Sequence, residues 1–295
     1  MKKFSGKILF KSIISLILAC VIFAVIFICF CKNEGKDERS GGANIVLMGD
    51  SIFANNRDTE TSICAEIGKA LGCTVLDLSF GGSTMAYSDR DGRPDYTYDA
   101  VSMASLTQAI ITNDFRYQTN AGIKVTGTDY FPERISALSE IDFDLVDILV
   151  LEHMLNDYQK GIPARADSDK YDEYTYEGAL RTIIEELQKK YPELTIVLVT
   201  PPETWYFTED GMHSSCELDL GGGKITEYIE VQKEIALEYN LQYIDLYDLY
   251  RSNGIVCDDE GNELNYWDGY TIDDIHPNFL AIELISKKIS ESIEF

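Results

Sequence analysis

Of 295 residues, 45% are hydrophobic and 11% aromatic against 25% charged, which is ample apolar material for a packed core and excludes disorder for most of the chain. Fifty aspartates and glutamates face 25 lysines and arginines, a net charge of −25 that repels phosphate backbones and excludes nucleic acid as a partner. All of the acids and all but four of the bases follow Cys31, so the chain from Lys32 onward carries −29.

The first predicted element is the run from Ser12 to Cys31, which contains no charge, proline or glycine. A helix of that length, at about 1.5 Å per residue, reaches roughly 30 Å and spans one hydrocarbon core. Lys2, Lys3, Lys7 and Lys11 precede it without an acid among them, which predicts a cytoplasmic N-terminus and an extracytoplasmic bulk at the cell membrane. The run exceeds the apolar region of a cleaved signal and lacks a small-x-small site, so an uncleaved single-pass anchor is expected. The predicted organisation is 1–11 cytoplasmic, 12–31 transmembrane, 32–43 a polar linker and 44–295 one domain.

Within that domain five strand-like apolar runs recur: Asn44–Met48, Thr74–Leu78, Val146–Leu151, Thr195–Val199 and Gln242–Leu246. Helical spacing marks the segments carrying Ile63, Ile67, Ala70 and Leu71, then Leu180, Ile183, Ile184 and Leu187. It recurs at Ile225, Tyr228, Ile229, Ile235 and Ala236, and at Leu284, Ile285, Ile289 and Ile293. Alternating strands and helices predict an α/β fold, a doubly wound sandwich on one five-stranded parallel sheet preceded by a transmembrane helix. Ser88–Asp99, Thr112–Phe131, Tyr158–Tyr174 and Glu203–Lys224 are too long for simple connections and are predicted to be polar insertions over one face. Gly221-Gly222-Gly223 reads as a flexible hinge, and Asp258 to Asn262 as a solvated hairpin turn.

Open α/β sheets carry their sites at the carboxyl ends of the strands. Gly49-Asp50-Ser51 ends the first run, Gly81-Gly82-Ser83 follows the second, Asn156-Asp157 follows the third, and Asp273-Asp274-Ile275-His276 precedes the last helix. A serine needs a base to take its proton and donors to hold the oxyanion it creates, and these loops contain both. Each motif alone is weak, since Asp-x-x-His is common in so acidic a chain; their combination is the signal. Asp50 and Asp157 are expected to bond loop backbone. Among the aromatics and histidines, His153, Trp205 and Trp267 are candidate substrate contacts. Cys64, Cys73, Cys216 and Cys257 permit three pairings or free thiols, and His213-x-x-Cys216 has no second ligand pair, so no metal and no cofactor are expected.

The four blocks, in this order, resemble the SGNH or GDSL hydrolase family, most closely at Asn44-Ile-Val-Leu-Met-Gly-Asp-Ser51 and Thr271-Ile-Asp-Asp-Ile-His-Pro277. The resemblance covers Asn44 to Phe295 in layout and implies a flavodoxin-like three-layer sandwich. It implies Ser51 as nucleophile, His276 as general base and Asp273 as the group orienting the imidazole. The oxyanion donors it implies are the backbone amides of Ser51 and Gly82, with Gly81 a one-residue alternative, and the side-chain amide of Asn156. One block departs from the family: the usual Gly-x-Asn-Asp reads Met154-Leu155-Asn156-Asp157. Met154 is expected to narrow the pocket or alter the turn that aims Asn156, and its replacement by glycine to be tolerated. The implied activity is an esterase removing short acyl groups, acetyl foremost, from a small-molecule or glycan ester. An acyltransferase, a lipolytic acylhydrolase and a non-catalytic envelope-binding module are the alternatives, and the sequence leaves the oligomeric state open.

Overall fold

The computed structural model describes residues 45–91, 97–126 and 130–294. The expected anchor and linker lie outside the described residues, among which no helix is long and apolar enough to cross a membrane.

In chain order the elements are β1 (Ile45–Gly49), α1 (Ser51–Ala54), α2 (Ile63–Leu71), β2 (Val75–Asp77), α3 (Met103–Thr112), α4 (Arg116–Thr126), α5 (Tyr130–Ser139), β3 (Ile148–Glu152) and α6 (Leu155–Gln159). They continue with α7 (Tyr176–Lys190), β4 (Thr195–Val199), β5 (Trp205–Thr208), β6 (Gly211–Ser214), α8 (Ile225–Glu238), β7 (Gln242–Ile244), α9 (Leu249–Asn253), α10 (Tyr266–Tyr270) and α11 (Phe279–Ser292).

The main sheet has the order β2-β1-β3-β4-β7 with every pair parallel, the doubly wound arrangement that the alternation predicts. β1 and β3 are buried along their whole length, which is why they read as unbroken apolar runs rather than alternating ones. Full burial of each such aliphatic side chain contributes about 1.5–3 kcal/mol. Helices cover the sheet in two groups, α2 against α11 and α7 against α3 and α8. Local chemistry starts them: Ser62 Oγ accepts from Ala65 N at 3.1 Å, Thr175 Oγ1 from Gly178 N at 3.1 Å and Asn278 Oδ1 from Ala281 N at 3.1 Å, each satisfying an amide with no partner inside its helix.

The strand boundaries shift for identifiable reasons. A 3₁₀ turn at Phe143–Leu145 delays β3 to Ile148. Asp245 ends β7 early, because its carboxylate accepts from Tyr247 N at 2.9 Å and from Thr200 Oγ1 at 3.1 Å and turns the chain.

Two of the expected polar insertions are regular structure. Thr112–Phe131 contains α4, which packs on α5 and opens with Asp114 Oδ1 accepting from Arg116 N at 3.1 Å. Glu203–Lys224 contains the antiparallel β5–β6 hairpin, with Trp205 opposite Ser214. The triple glycine is a packed turn instead of a free hinge. Asp219 Oδ1 accepts from Gly221 N at 2.7 Å and Gly223 N at 3.2 Å, and a Cβ on Gly222 would collide with the Ile162 carbonyl. Asp258–Asn262 is the expected turn, Asp258 Oδ1 accepting from Glu260 N and Asn262 N. The four domain cysteines are free thiols; Cys64 donates to the Val75 carbonyl at 3.1 Å, and burial pushes its thiol up to about 12.

Candidate active site

The carboxyl ends of β1, β2 and β3 converge on Ser51. Gly49 is required where β1 ends, since a Cβ there would lie 2.8 Å from both the carbonyl and Oε2 of Glu152. Asp50 then caps α1, its Oδ1 accepting from Ile52 N at 2.9 Å, and Ser51 becomes the first helical residue. Asp50 is fully buried and its backbone N–H donates to the Glu152 carbonyl at 3.2 Å.

The second loop is a turn in which Ser83 N donates to Phe80 O at 3.0 Å. Gly82 occupies its third position at φ +79, a conformation that favours glycine. A Cβ on Gly81 would stand 3.8 Å from Ser51 Cβ, so the loop lies directly beside the serine. Among the described residues neither the Ser51 nor the Gly82 N–H has a hydrogen-bond acceptor, leaving both available to a developing oxyanion.

The third loop locks the other two together. Asp157 is fully buried and accepts from Met85 N at 2.7 Å and Ala86 N at 3.0 Å; burial nonetheless pushes its carboxyl up to about 7. Asn156 Nδ2 donates to Asp50 Oδ2 at 3.0 Å, which orients the amide while leaving its second hydrogen for another acceptor. Both aspartates therefore bind loop groups, as expected, and Asp50 also aims the candidate oxyanion donor.

Met154 is the residue preceding α6, with its side chain fully buried in the core. Its side chain packs within the hydrophobic core cluster. The expectation that glycine is tolerated here is accordingly corrected: Met154→Gly leaves a core cavity and lowers unfolding free energy by about 2–5 kcal/mol, measurable by denaturant titration. A change below 1 kcal/mol would contradict that packing.

His276 and Asp273 form the fourth corner. Their side chains meet at 2.7 Å, Nδ1 to Oδ2, while His276 N donates to Asp273 Oδ1 at 2.8 Å and Ile275 N at 3.3 Å. Partial burial raises the Asp273 carboxyl, but these donors and the imidazole outweigh it and hold the group below its ordinary value. With Nδ1 donating to a carboxylate, the neutral ring presents Nε2 as acceptor, the form a general base needs. The loop is held by Trp205 N donating to Asp274 O at 3.0 Å, Ile272 N to His276 O at 2.9 Å and Asn55 Nδ2 to Pro277 O at 3.1 Å. Asn55 closes α1, so that last bond ties the serine helix to the histidine loop.

Burial pushes Asp50 up to about 6, opposed chiefly by the Ile52 N–H and also by Asn156. Ser51 Oγ makes no hydrogen bond among the described residues; nucleophile–base bonds are often long before substrate arrives.

Other candidates fall elsewhere. His153 is fully buried; its Nε2 pairs with Ser83 Oγ at 3.1 Å, and burial lowers the ring to about 3. It supports the glycine loop as a neutral ring, and the expected substrate contact finds no exposed surface. Trp205 is buried too, stacked on Tyr250 at 6.2 Å and tilted against Trp267 at 6.2 Å; of the two tryptophans only Trp267 retains partial exposure. A second Asp-x-x-His exists, His213 Nε2 lying 3.1 Å from Asp210, but it rides on the β5–β6 hairpin. Spacing alone does not single out His276; position at the strand ends does. Glu152 was not anticipated. It is fully buried with Oε2 3.4 Å from Asp50 N, and burial followed by the Asp50 charge drives its carboxyl well above the ordinary range. Its one sequence signal is an acid continuing an apolar strand. Among the described residues no three His, Cys, Asp or Glu side chains converge as a metal site.

Residues 47–280 match the GDSL-like lipase/acylhydrolase family. One solved structure superposes with a TM-score of 0.58 at 21% identity, covering 85% of this chain and 95% of its own. A protein from Lactobacillus plantarum gives 0.55 at 18%, covering 85% and 96%, and a possible lipase from Chitinophaga pinensis gives 0.51 at 16%, covering 84% and 96%. At such identities the likeness concerns the fold. A comparison with curated proteins returned no match.

Proposed function

The chain belongs to the GDSL-like lipase/acylhydrolase family and is an ester-hydrolysing enzyme, and from that membership we propose a serine mechanism directed at short acyl esters of carbohydrate outside the cytoplasm. The observation that carries it is the His276–Asp273 bond of 2.7 Å on a loop tied to the helix that Ser51 opens. In this reading Ser51 Oγ loses its proton to His276 Nε2 and attacks the ester carbonyl, while Asp273 keeps the imidazole oriented and balances its charge. The carbonyl oxygen gains charge against the Ser51 and Gly82 amides and the free hydrogen of Asn156. His276 returns the proton to the departing alcohol, and water repeats the cycle on the acyl-enzyme.

Three features support sugar esters. The domain charge of −29 opposes polyanionic glycans. Of the segment Tyr171-Asp-Glu-Tyr-Thr-Tyr176, Tyr171 is exposed while Tyr176 is buried in the core, and Tyr98 stands exposed beside Gly82; exposed tyrosine rings suit sugar rings better than lipid chains. A lipolytic reading is favoured instead by Ile272, 63% exposed, and Phe279, 71% exposed, which bracket His276 in the chain. p-Nitrophenyl esters of two, four, eight and sixteen carbons separate the two. Rates are expected to peak at two or four carbons, and a maximum at eight or beyond would overturn the acetyl reading. Running the same assay with and without a sugar acceptor, and analysing products, distinguishes hydrolysis from acyl transfer.

The location follows from Ser12–Cys31 and the four lysines before it. Protease added to intact cells is expected to digest the domain. Survival until lysis would reverse the proposed orientation.

A further inference from the structure

We propose that Lys160 is a positioning residue that brackets the oxyanion hole, joining through one residue the two loops that carry Gly82 and Asn156. The inference rests on the roles assigned above to Ser51, Gly82 and Asn156.

Lys160 lies one helical turn after Asn156 and closes α6, its backbone N–H donating to the Asn156 carbonyl at 3.0 Å. Its ammonium reaches across 78 residues of sequence and donates to the Gly82 carbonyl at 3.0 Å. Each of these two bonds ends on the carbonyl of a residue that supplies an oxyanion donor, one from its side chain and one from its backbone. A bond from an ammonium is stronger than a neutral one.

The Gly82 carbonyl belongs to the peptide plane shared with Ser83, whose N–H donates to Phe80 O at 3.0 Å. Lys160 thus pins the second edge of a plane that the turn pins at the first. That matters because Gly82 has no Cβ and stands at φ +79, where glycine's backbone is freest. The plane it leaves adjacent carries the Gly82 N–H itself. Tyr98 holds the ammonium in place from the outside, its ring centroid 5.3 Å from Nζ, and its Cε1 lies 3.5 Å from where a Gly82 Cβ would be. Further along the same loop, Asp157 accepts from Met85 N and Ala86 N, so α6 and its cap hold residues 82 to 86 at three points. An ordinary solvated lysine at a helix end would have no reason to affect the chemistry at Ser51, and this separates the two readings.

The test uses the full-length chain, p-nitrophenyl acetate, and a methyl trifluoromethyl ketone as a mimic of the tetrahedral adduct. Rates are normalised to sites titrated with a serine-directed organophosphorus probe, so that unfolded molecules do not enter. Lys160→Met is expected to lower kcat about tenfold with KM within about twofold, and to weaken the ketone about tenfold, as for a donor misplaced by a fraction of an ångström. Lys160→Arg, which keeps a charged donor, is expected to recover kcat to within about threefold of the wild type. Lys160→Met with kcat and ketone affinity both within about twofold of the wild type would overturn the proposal, as would a loss carried by KM alone. Turnover persisting in Ser51→Ala would instead remove the mechanism on which it rests, a result separate from either.

Discussion

Ser51→Ala and His276→Ala are each expected to lower ester turnover by about 10⁴- to 10⁶-fold while leaving the fold intact, because nucleophile and base act as one unit. The surrounding bonds explain why the fold survives. Ser51 Oγ has no hydrogen-bond partner among the described residues, and the α1 cap comes from Asp50, so the serine hydroxyl is structurally dispensable. In His276→Ala the loop keeps the Asn55–Pro277 and Trp205–Asp274 bonds, and the half-exposed Asp273 carboxylate regains water. Asp273→Asn is expected to be about a hundredfold less severe than either, since the base remains but loses its orienting acceptor. Steady-state kinetics with circular dichroism on each variant measure this. Near-normal turnover by Ser51→Ala would remove Ser51 from the mechanism.

Asn156→Ala is expected to lower kcat by about 10²- to 10³-fold with little change in KM, because its free amide hydrogen meets charge only as the tetrahedral intermediate forms. A second effect accompanies it. Asp50 Oδ2, fully buried, loses the donor that lies 3.0 Å away, a loss of about 1–3 kcal/mol for a buried acceptor left without its partner. That partner also counts among the influences opposing the burial that pushes Asp50 up to about 6, so the Asp50 carboxyl protonates at higher pH in the variant. The folded state then binds a proton that the unfolded chain, titrating near the ordinary aspartate value, releases. Relative to the wild type, this component of the variant's destabilisation is full above its own raised folded-state value and closes as pH falls through that value to the wild-type one of about 6. Unfolding free energies at pH 5 and 8 follow this component, and kcat at saturating substrate follows the oxyanion component. A wild-type kcat in Asn156→Ala would mean that another donor serves.

Much of the molecule was legible in the sequence. All five sheet strands lie where apolar runs mark them, most plainly β1 and β3, because strands buried on both faces must be continuously apolar, and helix faces follow where Leu180, Ile183, Ile184 and Leu187 recur with helical spacing. The Asp273–His276 pair was legible as well, since only two residues separate them and a single loop closes the pair. Less was legible where local composition misleads. α4 is polar enough to read as an insertion, yet it is a helix that opens on Asp114 and packs on α5.

The sequence by itself thus determined the alternation of elements, the four loops gathered at the strand ends and the identity of the acid, base and nucleophile candidates. Those features are local, and periodicity reports which face of an element turns inward. It does not report which polar group meets which. Asn156 on Asp50, 106 residues apart, Asp157 on Met85 and Ala86, Lys160 on Gly82, and Glu152 beneath Asp50 were decided by tertiary structure alone. The parallel register of β1 with β3 sets Gly49 opposite Glu152 and brings the loops that follow into contact. The same register and packing buried His153, Trp205 and Met154, residues whose side-chain chemistry suited exposure equally well, because burial depends on what the rest of the chain places above them.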